Sequence, residues 1–346
     1  MTSALATVML SDALHAAHTR HASDLHLIPS LPPVLRVDGK LELWEGPGLS
    51  AEDLAGVAGS FLDESERETL QRSGDVTATI VDAEVPVRVH AHRTGEGTAF
   101  ALRFLARDVP TFAELELPRV VAELSRRPHG LIVLAGPTGS GKSTTLASLV
   151  ALMNEESSRK IVMIEDPIEY RLRSKRSIIV QRQVGRDVPT FAHAVIGALR
   201  SDPDVIVIGE MRDPATTSSA ITAAETGHLV LATLHAGDAS QSIDRLVDAF
   251  PSERSEYARA RLAQVLLGVV AQRLVERASG SGRRAAAEVL IVTDAVRHMI
   301  RDGKQHQLPT VMATGRQFGM QTLDVDLAEL VANGHITPAT ARSATS

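Results

Sequence analysis

Two groups of residues in this chain have the types and spacing for work on a polyphosphate. The first is Gly136-Pro137-Thr138-Gly139-Ser140-Gly141-Lys142-Ser143, a full GxxxxGK[ST] loop. An apolar run with the signature of a buried strand, Gly130–Ala135, precedes it, and a helical pattern, Thr144–Met153, follows. Glycines let such a loop curl until successive backbone N–H groups converge on phosphate oxygens, helped by the N-terminus of the following helix. Lys142 sets a point charge beside those oxygens. Ser143 offers a hydroxyl to Mg²⁺, which keeps several waters when it sits beside phosphates. The expected ligands are ATP and Mg²⁺, held by residues 136–144: Gly136, Pro137, Thr138, Gly139, Ser140, Gly141, Lys142, Ser143 and Thr144.

The second group is a set of acids and histidines at the ends of apolar runs. Asp204-Val205-Ile206-Val207-Ile208-Gly209-Glu210 reads as a buried strand that ends in a carboxylate. At the C-terminal edge of a parallel strand such a group faces the crevice where ligands bind. Its work there is to orient and deprotonate a water attacking the γ-phosphate, the role assigned to Glu210. Ile161–Glu165 is a third strand, with Glu165, Asp166 and Glu169 at its mouth. Glu165 is the candidate for the Mg²⁺ shell, directly or through water, or for the lytic water; Asp166 and Glu169 fit the turn. Taken alone, each of these acids is equally well a solvated strand end. Beside a phosphate loop the catalytic reading prevails. A fourth strand, Leu229–Leu234, leads to Thr233 and His235, with His228 just before it. Both histidines are candidates to sense the γ-phosphate; the other reading is a ring satisfied by local backbone groups.

Strand, loop and helix alternate several times after His129-Gly130, which predicts a mainly parallel sheet covered by helices. Upstream, 3–20 has helical spacing, 23–28 and 33–37 alternate as strands do, and Asp38-Gly39 is a hairpin signal. A helix is expected from Ser50, then strands over 76–81, 85–92 and 99–105. The chain thus divides into an N-terminal domain over 1–106, a proline-containing linker over 107–118 and a phosphate-loop domain over 119–346. From about Arg254 the pattern reads as mostly helical, and Val265–Ala271 as part of a buried helix.

Composition narrows the class. With 346 residues and 44% hydrophobic content the chain has ample material for two cores. Cysteine is absent, which excludes disulfides, thiolate catalysis and cysteine zinc sites. The net charge of −6 and an aromatic content of 3% count against a nucleic-acid translocase that grips backbone and stacks bases. The basic run Arg171–Arg176 reads best as a solvated loop. No apolar run approaches the roughly 20 residues of a membrane span, and Met1–Leu10 has no signal-peptide pattern. A cytoplasmic protein is the simplest expectation.

At this point a family resemblance is visible. Ile164-Glu165-Asp166-Pro167-Ile168-Glu169-Tyr170 resembles the Asp box of the type II secretion and type IV pilus ATPases. Gly209-Glu210-Met211-Arg212-Asp213 is similar to their Walker B ending, and Ala223–His235 to their His box. Ala22–Leu27 with Arg36–Gly39 looks like the opening of their PAS-like N-terminal domain. Ala295–Lys304 and Gly319–Asp324 resemble motifs of the PilT-type retraction branch, with His298 and Met299 where Asn and Leu are familiar. Other departures are Gly185 before Arg186-Asp187 and His90-Ala91-His92 after Val89.

The resemblance implies an α/β chain: a RecA-like P-loop ATPase domain behind a PAS-like α/β domain, with a helical C-terminal tail. It implies an ATP-hydrolysing homohexamer that retracts type IV pili, attached to the inner membrane through the pilus machine. Its partners would be a membrane platform protein and a pilus assembly ATPase, with no nucleic acid. The resemblance also implies that arginines of the N-terminal domain meet the phosphates of a neighbour. Arg88 and Arg103 match best; the other reading is surface arginines on strands. Arg297, Arg301 and Lys304 would face a neighbour or the platform. Pilus assembly or type II secretion, a nucleic-acid translocase and a nucleotide-gated regulator are the alternatives.

Overall fold

The computed structural model describes residues 4–20, 22–37, 39–81, 86–104 and 108–345. Asp38 of the expected hairpin turn and the ends of two expected strands, Val85 and Leu105, lie outside those residues. The chain forms two compact units, Met1–Asp108 and Val109–Ser346.

The first unit holds α1 (Ala4–Thr19), β1 (Asp24–Leu27), β2 (Val34–Val37), β3 (Lys40–Leu43), α2 (Ala51–Phe61), α3 (Glu64–Ser73), β4 (Asp75–Val81), β5 (Pro86–Thr94) and β6 (Gly97–Phe104). The strands form one antiparallel sheet in the order β3-β2-β1-β6-β5-β4. Capping is explicit in the sequence. Ser50 and Asp53 close a capping box on α2, and Asp63 and Glu66 close another on α3. Leu25, Leu27, Leu54, Phe100 and Leu102 are buried at the centre of this unit's core.

The second unit contains α4 (Arg119–Ser125), β7 (Gly130–Ala135), α5 (Lys142–Glu156), β8 (Lys160–Glu165), β9 (Ile178–Gln183), α6 (Phe191–Ala198), β10 (Val205–Ile208), α7 (Pro214–Glu225), β11 (Leu229–Leu234), α8 (Ala239–Asp248) and α9 (Ser255–Val265). It continues with β12 (Leu266–Glu276), β13 (Arg283–Ile291), α10 (Asp294–Arg301), α11 (Leu308–Thr314), α12 (Leu323–Ala332) and α13 (Pro338–Thr345). The sheet order is β13-β12-β7-β11-β10-β8-β9, parallel throughout except for β13 at one edge. Successive residues of β7 enter different cores: Leu131, Val133 and Ala135 one, Ile132 and Leu134 the other. Burial on both faces is why its strands are unbroken apolar runs. Phe112, Leu115 and Leu117, from the stretch read as a linker, pack into one of these cores.

One expectation is corrected. In the region after Arg254, read as mostly helical, Val265–Ala271 is not part of a helix: α9 stops at Val265, and the chain pairs beside β7 as β12 before returning as β13. A short apolar run buried on every side has the same composition as strand or helix. The open edge of β7 decided between them. The helical tail begins only at α10.

Candidate active site

The phosphate loop is built by backbone geometry. Gly136, Gly139 and Gly141 have φ of 147°, 77° and 89°. A Cβ on Gly136 would lie 2.4 Å from the carbonyl oxygen of Gln272, so no larger residue fits there. Lys142 opens α5, is buried, and donates from Nζ to the carbonyls of Gly136 and Pro137, both at 2.8 Å. Burial lowers its pKa below the usual lysine range, against the charges of Glu210 and Glu169. A buried ammonium held by neutral carbonyls at a helix N-terminus fits an incoming polyphosphate, which supplies the missing countercharge. Ser143 follows on the first turn. The hydroxyl of Thr144 is engaged with that of Tyr170 at 2.9 Å.

Glu210 stands two residues beyond β10. Its Oε2 is 2.6 Å from Nη2 of Arg212 and its Oε1 3.1 Å from Nε2 of His235. Burial pushes the carboxyl upward, but the hydrogen bond and charge of Arg212, with His235 and Lys142, outweigh it and hold Glu210 below the ordinary glutamate range. It is a carboxylate at neutral pH. The pairing of β7, β11 and β10 brings these groups together: Leu234 lies beside Ala135 and Ala232 beside Ile208. Thr233 fastens the edge, its hydroxyl donating to the Gly209 carbonyl and its own carbonyl accepting from Met211 N–H.

Glu165 ends β8 at the same edge. Burial raises its pKa to about 7, with Glu169 adding and the hydrogen bond from Gln181 and the charge of Arg171 opposing. Gln181 Nε2 donates to it at 3.0 Å. Among the described residues no cluster of three or more acids and histidines could hold a metal alone.

His228 is not brought to this edge. Its carbonyl accepts from Gly130 N–H at the opening of β7, and its Nδ1 lies 3.0 Å from the Ala223 carbonyl. A six-residue strand separates it from His235, about 20 Å at the usual rise. Arg88 and Arg103 belong to the first unit, directly opposite each other on β5 and β6. Arg103 Nε is 2.9 Å from Asp24 Oδ1, and the other carboxylate oxygen, Oδ2, lies 4.0 Å from Arg36 Nε. Arg297 of α10 is half-buried with Asp294 at 3.9 Å, whereas Arg301 is exposed. The run 171–176 is a largely exposed loop, as expected.

Two residues at the site escaped the sequence reading. Arg212 carries the ion pair with Glu210. Gln272, 1% exposed on β12, donates to the Ser140 carbonyl at 2.7 Å and ties the phosphate loop to the neighbouring strand. An amide that follows an apolar run is the available signal, and the helical pattern expected from about Arg254 hides it.

A twitching motility protein of Neisseria gonorrhoeae is 42% identical over 311 residues, 90% of this chain and 83% of that protein. A type IV pilus retraction ATPase, PilT, of Pseudomonas aeruginosa is 40% identical over 337 residues, 96% of this chain and 97% of its own. A crystal structure of the pilus retraction motor PilT with bound ADP superposes with a TM-score of 0.88 at 41% identity, covering 96% of each chain. The profile of the Type II/IV secretion system proteins matches residues 4–337, and the chain belongs to that family.

Proposed function

We propose that this chain is an ATP-hydrolysing motor of type IV pilus retraction. The carrying observation is the meeting of Lys142, Glu210 and His235 at one sheet edge, in a chain that aligns almost end to end with a retraction ATPase. Residues 136–144 would hold the phosphates, and Ser143 and Glu165 would hold a Mg²⁺ ion whose charge would neutralise part of theirs. Glu210, kept ionised by Arg212, accepts the proton of the attacking water. His235, beside it, registers the loss of the γ-phosphate.

In this reading the motor is a homohexamer, and Arg88 and Arg103 stabilise transition-state charge in a neighbour's site. It works at the cytoplasmic face of the inner membrane against a platform protein, with a pilus assembly ATPase opposing it. No helix of the described residues is long and apolar enough to cross a membrane. Deleting the gene tests the direction of the motor. Cells that keep or accumulate surface pili but lose twitching support retraction; bald cells identify an assembly motor instead.

A further inference from the structure

Glu288, on β13, is a half-buried carboxylate that the proposed chemistry does not use. It sits between the starts of two helices. Its Oε1 accepts from the N–H of Ala239, the first residue of α8, at 2.8 Å. The N–H of Leu323, the first residue of α12, donates to the same carboxyl group. Both are N–H groups for which a helix has no internal partner, and the positive ends of both helices favour an acid there. Burial, with Asp238 and Asp324 nearby, raises the carboxyl above the ordinary glutamate range in spite of these bonds. An acid in such surroundings is costly for the fold, and what it supplies is two directed contacts.

The helices it joins lead to different places. α8 begins a short turn beyond His235, whose ring meets Glu210 at 3.1 Å. α12 is clipped to β13 on either side of Glu288. Asp326 accepts from the Ala287 N–H at 2.8 Å, and Gln321 Nε2 donates to the Ala287 carbonyl at 2.7 Å. Gln321 and Val289 exchange backbone hydrogen bonds. A second contact leaves the same turn of α8, from the Ser240 hydroxyl to the carbonyl of Gln305, between α10 and α11, at 3.2 Å. The first turn of α8 is where the His235 loop meets the C-terminal helices.

We propose that Glu288 is a positioning residue for ATP hydrolysis: it fixes the first turn of α8, and with it His235, relative to α12. The seating of the C-terminal helices then sets the geometry at Glu210. The inference rests on the reading that His235 and Glu210 stand at the γ-phosphate.

Substitutions at the start of α12 test this connection in the full-length protein. Leu323→Pro deletes the donated N–H at a first helical position, where proline is tolerated and where Thr322 before it is already extended. Leu323→Ala removes the side chain and keeps the N–H. Glu288→Gln keeps one acceptor oxygen and loses the other. The measurements are kcat, KM and melting temperature, with the double variant Glu288→Gln/Leu323→Pro included. Expected are a kcat about tenfold lower in Glu288→Gln and in Leu323→Pro, KM within about twofold, and a near-parental rate in Leu323→Ala. The double variant should fall no further than the slower single one, because both break one connection. Parental kcat in folded Leu323→Pro, equal losses in Leu323→Ala, or multiplied losses in the double variant overturn the assignment. His235→Gln separates the two readings. If it is slow while Glu288→Gln is parental, this inference alone fails; if it is itself parental, the reading of His235 fails as well.

Discussion

Nε2 of His235 lies 3.1 Å from Oε1 of Glu210, although the two residues follow different strands of the sheet. The other carboxylate oxygen is held by Arg212 at 2.6 Å. Both carboxylate oxygens of Glu210 are thus engaged, one by each neighbour. Replacing Glu210 with glutamine keeps the shape and removes the carboxylate charge. Glu210→Gln is expected to bind Mg²⁺-ATP with near-normal affinity and to hydrolyse it at least roughly a hundredfold slower. Single-turnover kinetics would show near-normal hydrolysis if another acid does this work.

The phosphate loop is held from both ends. Lys142→Ala should lose most ATP affinity, since Lys142 is the one cationic side chain of the loop. Gln272→Leu is subtler, because it strands the Ser140 carbonyl, a change of about 1–3 kcal/mol for a buried acceptor. A lower melting temperature and a raised KM are expected, with kcat less affected. Unaltered values in both measurements would remove Gln272 from the site.

Glu165 makes a pH dependence. Its folded pKa is raised from 4.5 to about 7, so between those values the folded chain holds a proton that the unfolded chain has released. Its contribution to stability is fully present below about pH 4.5 and is lost as pH rises through about 7. In metal-free, nucleotide-free protein, Glu165→Gln should therefore flatten the fall in melting temperature between pH 5 and pH 8. Parallel curves for variant and parent would refute the assignment.

A site shared between subunits has a mixing signature. Arg103 is exposed and tethered to Asp24, so Arg103→Ala should leave the first unit folded. Alone, Arg103→Ala and Lys142→Ala are each expected to be inactive. Mixed, they should recover part of the ATPase rate, because some interfaces receive one intact half from each partner. Full activity at concentrations where the protein is monomeric contradicts the shared site.

On α10, Val296 and Ile300 are buried while Arg301 faces solvent. Arg301→Glu is the cleaner probe of a partner contact than a change at half-buried Arg297, whose reversal also disturbs packing. The expected phenotype is retained ATPase activity with twitching abolished. Wild-type motility in a strain carrying Arg301→Glu counts against a platform contact there.

The sequence alone determined the phosphate loop, the acid-ended strands and the sheet they imply. Those features are local: a glycine spacing, a lysine at a helix start, and runs of Val, Leu and Ile too apolar to leave either face exposed. Capping boxes at Ser50 and Asp63 are equally local, because each satisfies its own backbone within four residues. Tertiary structure decided what depended on pairing. Residues 266–291 became a hairpin because β7 offered an open edge, which no count of apolar residues reveals. Strand direction sent His228 to one edge of the sheet and His235 to the other, although both flank the same strand. Arg212 and Gln272 gained their roles in the same way, since a hydrogen-bond partner brought close by strand register leaves no periodic trace in the chain.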